Sequence, residues 1–207
     1  MNCLICGTAF QPTPTWRKLF LYEKESSTCS RCFSKFMKSD ATIQFNDFQG
    51  TVYERAVDAV TALYSYNEAM KSYLHQYKFL QDVALAQVFA KTLHEAFEGK
   101  EGIVVPIPMH PEKLVQRTFA QVDELLNSAG IPYQYILTKT ATSEQGKKTR
   151  KERLEASPLF EVTTRIEASN YILFDDIYTT GATIHHAAKA LKDAGARRVA
   201  AITLIKG

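Results

Sequence analysis

The chain has 207 residues, 45% hydrophobic and 23% charged, which is ordinary globular composition and excludes disorder, collagen-like repetition or low complexity as a description of the whole. The net charge of +3 is too small to announce nucleic-acid binding by itself. No apolar run approaches the roughly 18 residues of a membrane helix, and Met1 to Cys6 carries no basic lead into an apolar stretch, so a soluble cytoplasmic protein is expected.

All four cysteines lie near the amino terminus, as Cys3-Leu4-Ile5-Cys6 and Cys29-Ser30-Arg31-Cys32. A two-residue spacer lets both sulfurs of a turn face one ion, and two such knuckles supply the tetrahedral thiolate shell that Zn2+ prefers. Gly7 is the residue type a tight knuckle turn wants. Two disulfides are the other reading, and a chain without a secretion signal argues against them. Four thiolates leave no open position, so the metal is expected to fold residues 1–36 into a finger and to catalyse nothing. Trp16, Leu19, Phe20 and Tyr22 between the knuckles suit either a small apolar core over the site or a platform on which bases stack.

Residues 37–50 are polar and weakly periodic, as a linker or short helix would be, and 51–207 make up the main domain. Ala56–Tyr66 reads as one or two strands, and Glu68–Lys78 as a helix. Asp82–Phe97 reads as an amphipathic helix with Leu85, Val88, Phe89, Leu93 and Phe97 on one face. Ile103–Pro108 is a short apolar strand stopped by prolines, followed by a helix over about Pro111–Ala129. Strand-like Tyr133–Leu137 leads into a basic stretch, Lys139 to Arg153, with six cations against two acids. Phe160–Val162 and Tyr171–Phe174 read as strands, Ala182–Ala194 as a helix and Val199–Ile205 as a last buried strand. Apolar strands alternating with helices predict an α/β fold, a parallel sheet flanked by helices. His75, His94, His185 and His186 are read as surface or packing residues.

The most informative run is Tyr171-Ile172-Leu173-Phe174-Asp175-Asp176-Ile177-Tyr178-Thr179-Thr180-Gly181-Ala182-Thr183. Four apolar residues lead to two adjacent carboxylates, and a hydroxyl-rich turn then opens a helix whose N–H groups favour a phosphate. Ligands of open α/β sheets sit at such carboxyl ends. This run resembles the phosphoribosyl pyrophosphate (PRPP) signature of type I phosphoribosyltransferases. The resemblance implies that Asp175 and Asp176 bond the ribose hydroxyls, directly or through Mg2+, while Thr179, Thr180, Gly181, Ala182 and Thr183 cradle the 5-phosphate. It also implies a pyrophosphate loop after Val105-Pro106-Ile107-Pro108, with His110 and Lys113 as its contacts.

The order of cysteine finger, Pro-Ile-Pro-Met-His-Pro-Glu-Lys strand end, Arg117-Thr118-Phe119-Ala120-Gln121, basic segment with Gln145, Arg150 and Arg153, and final PRPP loop is similar to the ComF family across essentially the whole chain. That family usually carries Arg-Gly-Phe-Asn-Gln where this chain has Thr118 and Ala120, and usually Leu near Lys148 and Asn near Ala156. Membership implies a cytoplasmic protein of natural transformation, peripheral at the inner membrane through its partners. It would assist single-stranded DNA beside a ComFA-like helicase, with structural Zn2+ on Cys3, Cys6, Cys29 and Cys32 and Mg2+ accompanying PRPP. Lys147, Lys148, Arg150, Lys151 and Arg153 can then serve as a DNA-backbone contact, as a loop closing over pyrophosphate in a true transferase, or as a solvated face. No residue stands out as a base-recognition or nucleophile-activating group, so binding is favoured over turnover, with phosphoribosyl transfer to an unidentified acceptor as the alternative.

Overall fold

The computed structural model describes residues 1–11, 26–39, 43, 48–140 and 159–207. Its spine is a parallel sheet of four strands in the order β1 (Ala59–Ser65), β6 (Arg198–Lys206), β5 (Asn170–Tyr178) and β2 (Ile103–Pro106). The central strands are covered on both faces, which is why Tyr171–Phe174 and Val199–Ile205 read as nearly continuous apolar runs. Side chains alternate between the two faces with period two. On β5, Ile172 and Phe174 join one core cluster with Phe89, Leu93 and Leu125, while Tyr171 and Leu173 join another with Ile184, Ala188 and Leu191. β6 divides in the same way, Ile202 and Leu204 against Val199 and Ala201. A separate antiparallel pair joins β3 (Leu137–Lys139) to β4 (Phe160–Val162).

Both edges of the main sheet carry further backbone bonds. Ser39 N–H donates to Leu63 at 3.0 Å and Ser65 N–H to Met37 at 2.9 Å, which lays residues 37–39 along the outside of β1. Gln134 N–H donates to Val104 on β2 at 2.9 Å. Pairing of this kind removes the unpaired edges that would otherwise recruit another chain.

Helices α1 (Ser30–Phe33), α2 (Glu68–Phe79), α3 (Ala90–Phe97), α4 (Pro111–Arg117), α5 (Gln121–Ala129) and α6 (Ala182–Asp193) complete the described elements. α2 begins at Asn67, whose side chain accepts from Met70 N–H as an N-cap, and it buries Met70, Tyr73, Leu74 and Tyr77. Two expected helices are each broken. Asp82–Phe97 starts as a 3-10 helix over Val83–Phe89 and only then becomes α3. Tertiary donors reach this segment's carbonyls: Tyr73 hydroxyl bonds Leu85 O and Ser128 hydroxyl bonds Ala86 O, an alternative to regular helical pairing. Pro111–Ala129 divides at Thr118, which has φ +63°, so α4 and α5 are separate helices. The strand expected at Tyr133–Leu137 begins instead at Leu137, and β5 runs four residues past Phe174, carrying both carboxylates within it.

The amino-terminal segment packs on this core. Phe36 is buried at 7% exposure, with its ring 4.9 Å from Phe89 and 6.0 Å from Tyr73. Phe33 lies 6.1 Å from Phe89. Tilted and edge-on aromatic contacts of this kind add about 0.5–1.5 kcal/mol per pair beyond area burial.

Candidate functional site

Two sites emerge, and different kinds of local structure build them. In the first, Cys3 N–H donates to Thr8 O at 3.0 Å and Gly7 N–H to Cys3 O at 2.8 Å, closing a knuckle whose Gly7 has φ +70°. Across it, Cys29 starts α1, and its N–H points at Cys3 Sγ at 3.3 Å. All four sulfurs lie within 4.8 Å of one another and none is in a disulfide. Burial followed by the neighbouring sulfurs pushes Cys32 up to about 12, whereas hydrogen bonds from Thr8 draw Cys6 down to about 6. Four sulfurs this close need a cation before all can be thiolates, and the donor set fits tetrahedral Zn2+. The four cysteines therefore form a cluster able to hold a metal ion. Trp16, Leu19, Phe20 and Tyr22 lie outside the described residues.

The second site is the passage from β5 to α6. Asp175 and Asp176 sit three and two residues before the end of β5, and Asp176 N–H donates to the Asp175 carboxylate at 2.9 Å. Burial, then the charge of Asp176, pushes Asp175 up to about 7, while Lys78 and Lys139 pull it back. Asp176 is buried at 7% exposure and its carboxylate is ion-paired with the Lys78 ammonium. Lys78 comes from the last turn of α2, and no motif in the sequence announces it.

Gly181 then turns the chain with φ +77° into α6, where no side chain caps the helix start. A Cβ at this position would land on the Tyr178 hydroxyl, so glycine is required both by backbone angle and by space. Ala182 N–H reaches Thr180 Oγ1 at 3.4 Å, and Thr179 is exposed. Residues Thr179 to Thr183 line a small polar depression at the start of α6. N–H groups at a helix start with hydroxyls around them suit an anion the size of a phosphate.

The other candidates separate. His110 follows the end of β2, is buried at 9% exposure, and its carbonyl accepts from Leu114 N–H at 3.1 Å as α4 begins. Lys113 lies within α4. Because Ile107 N–H donates to Phe174 O at 2.9 Å, this strand end lies beside the residue preceding Asp175. His185 and His186 are packing residues: His185 stacks on Phe48 with centroids 3.5 Å apart, and His186 Nδ1 meets the Tyr53 hydroxyl at 3.1 Å. Lys147, Lys148, Arg150, Lys151 and Arg153 lie outside the described residues.

A phosphoribosyl transferase domain model matches residues 71–207. Competence protein ComFC of Streptococcus pneumoniae is 34% identical, with both chains covered completely. The chain belongs to the ComF family. Competence protein ComFC of Bacillus subtilis is 31% identical over 99% of this chain and 94% of its own. A hypoxanthine phosphoribosyltransferase from Staphylococcus aureus is a weak structural likeness, with a TM-score of 0.36 and 15% identity over 58% of this chain and 62% of the other. Among the described residues no helix is long and apolar enough to cross a membrane.

Proposed function

We propose that this protein serves natural transformation as a cytoplasmic, single-strand-handling member of its family, and that Asp175 to Thr183 hold a ribose 5-phosphate group, as PRPP or a relative. The observation that carries the pocket is the junction of β5 and α6. Two adjacent carboxylates, Asp176 buried and Asp175 partly exposed, precede a helix start whose N-cap is Gly181, and Gly181 is pressed onto Tyr178. Sugar hydroxyls complement the first and a phosphate the second. The competence role is supported by the full-length likeness to ComFC proteins. Zn2+ on the four cysteines would hold a finger of residues 1–36, which a linker, 37–50, joins to a phosphoribosyltransferase-like domain, 51–207.

Single-stranded DNA is assigned to the basic stretch on its charge alone. Each phosphate neutralised releases counterion, so affinity should fall with salt by about −0.7 in log-log slope per contact. Replacing Lys147, Lys148 and Lys151 with Glu should flatten that slope without disturbing ribose-phosphate binding. A variant that keeps its full salt dependence would remove the stretch from DNA binding. A ComFA-like helicase is the expected protein partner, and co-purification of the two tests it.

The second reading is turnover. An intact carboxylate pair and phosphate cradle are what phosphoribosyl transfer requires, and Mg2+ on PRPP would neutralise the departing pyrophosphate. Incubation with PRPP, Mg2+ and a panel of bases separates the readings: pyrophosphate release with any base establishes the enzyme, and binding without release the binding protein.

A further inference from the structure

Lys78 is ion-paired with Asp176 although no sequence motif places it there. Its ammonium meets Asp176 with the two side chains only 13% and 10% exposed. The position is fixed from behind: Tyr73 and Tyr77 on the same helix are buried to 1% and 0% exposure, and the Tyr77 hydroxyl donates to Gln121 O at 2.7 Å. Lys78 can swing its side chain, but its backbone is held by this packing.

A buried carboxylate such as that of Asp176 requires compensating charge. Either a divalent cation or a protein ammonium can provide it. We propose that Lys78 takes the charge-balancing place beside Asp176 that a divalent cation would otherwise hold, so that the pocket reads the hydroxyls of a ribose phosphate without a metal bridging to the carboxylates. The charges of Lys78 and Lys139 also pull Asp175 down, against its burial and the charge of Asp176. Mg2+ would have to displace the Lys78 ammonium from Asp176 and would need near-octahedral oxygen ligands that include several waters. Sugar hydroxyls need only the carboxylate lone pairs that Lys78 leaves over, since an ionised carboxylate offers about four acceptor positions. Lys78 is thus a specificity-determining residue, selecting sugar over metal.

This assignment rests on the ribose-phosphate reading above, and the test keeps the two apart. Ribose 5-phosphate is titrated calorimetrically into the full chain in EDTA and again in MgCl2, and Mn2+ binding is followed by electron paramagnetic resonance without sugar. The wild type should bind the sugar phosphate equally in both buffers and leave Mn2+ free. Lys78→Met should lose about tenfold or more of its affinity in EDTA, recover it in Mg2+, and gain a Mn2+ site. Lys78→Arg, which keeps the cation, should behave as wild type. Sugar binding only in Mg2+, or a wild-type Mn2+ site that Asp176→Asn abolishes, overturns the role of Lys78 while leaving the ribose-phosphate pocket standing. Absence of sugar binding in both buffers ends both, and the wild-type Mn2+ measurement still decides the metal question if Lys78→Met fails to fold.

Discussion

The finger and the sheet domain are stabilised in opposite ways, although they touch. Around Cys3, Cys6, Cys29 and Cys32 few apolar side chains are buried among the described residues, and the four sulfurs supply the convergence that a core would otherwise supply. In the sheet domain Leu173, Phe174, Val199 and Leu204 are at 0% exposure and need no ion to hold them. Phe33 and Phe36 connect the two, since they follow the second knuckle yet pack among Tyr64, Tyr73 and Phe89. Metal should therefore decide whether the knuckles fold, and apolar burial whether the sheet does.

The largest effect is expected from removing the metal. Structural Zn2+ contributes about 10–16 kcal/mol apparent in small finger peptides. Cys29→Ser should abolish stoichiometric zinc by elemental analysis and expose amides of residues 1–11 and 26–36 to hydrogen exchange, while β5 and β6 stay protected. Full protection of the knuckles in metal-free protein would reject a metal-built finger. Next, Phe36→Ala tests the connection: deleting a buried phenyl costs about 3–5 kcal/mol, and chemical denaturation should show that loss in the sheet domain itself. A change confined to the finger would mean that the aromatic contacts are incidental.

Acid should sharpen the contrast. Burial, only partly offset by Tyr53, draws His185 down to about 4 from its ordinary 6.5. The unfolded chain then binds the proton more readily between those values, so the contribution of a neutral His185 is complete above about pH 6.5 and is lost as pH falls toward 4. Thermal melts over that window should show a shallower pH dependence in His185→Phe than in the wild type, and equal slopes would remove His185 as the cause.

The smallest expected effects concern the break between α4 and α5. Thr118 has φ +63°, a poor angle for a β-branched residue, and Ala120 begins α5 without a side-chain cap. The family's usual Gly and Asn at these positions would relieve both defects. Thr118→Gly and Ala120→Asn should each stabilise the protein by about 1 kcal/mol, read as a raised denaturation midpoint. The Thr118 hydroxyl reaches Arg117 O at 2.7 Å and Gln81 Oε1 at 3.2 Å on the exposed surface, and destabilisation by Thr118→Gly would mean that these bonds outweigh the backbone angle.

Local spacing made much of this legible. The paired C-x2-C knuckles and the carboxylate, hydroxyl and glycine run are short patterns whose chemistry is complete within a few residues, and the apolar runs of β5 and β6 specify covered strands. What local pattern could not carry is long-range. Lys78 reads as an ordinary cation in the last turn of a helix, and only the fold brings it to Asp176. The break inside Asp82–Phe97 depends on Tyr73 and Ser128 donating to its carbonyls from other elements. Phe36, beside a polar stretch, gives no sign that it enters the core.

The most direct test of the central claim is calorimetric titration of ribose 5-phosphate into the wild type and into Asp176→Ala. A saturable one-to-one association in the wild type, weakened in the variant by about 1.5–3 kcal/mol, is the result predicted for a sugar hydroxyl bonded to a charged acceptor. Equal affinity in the two proteins, or no binding in either, would contradict a ribose-phosphate pocket at the junction of β5 and α6.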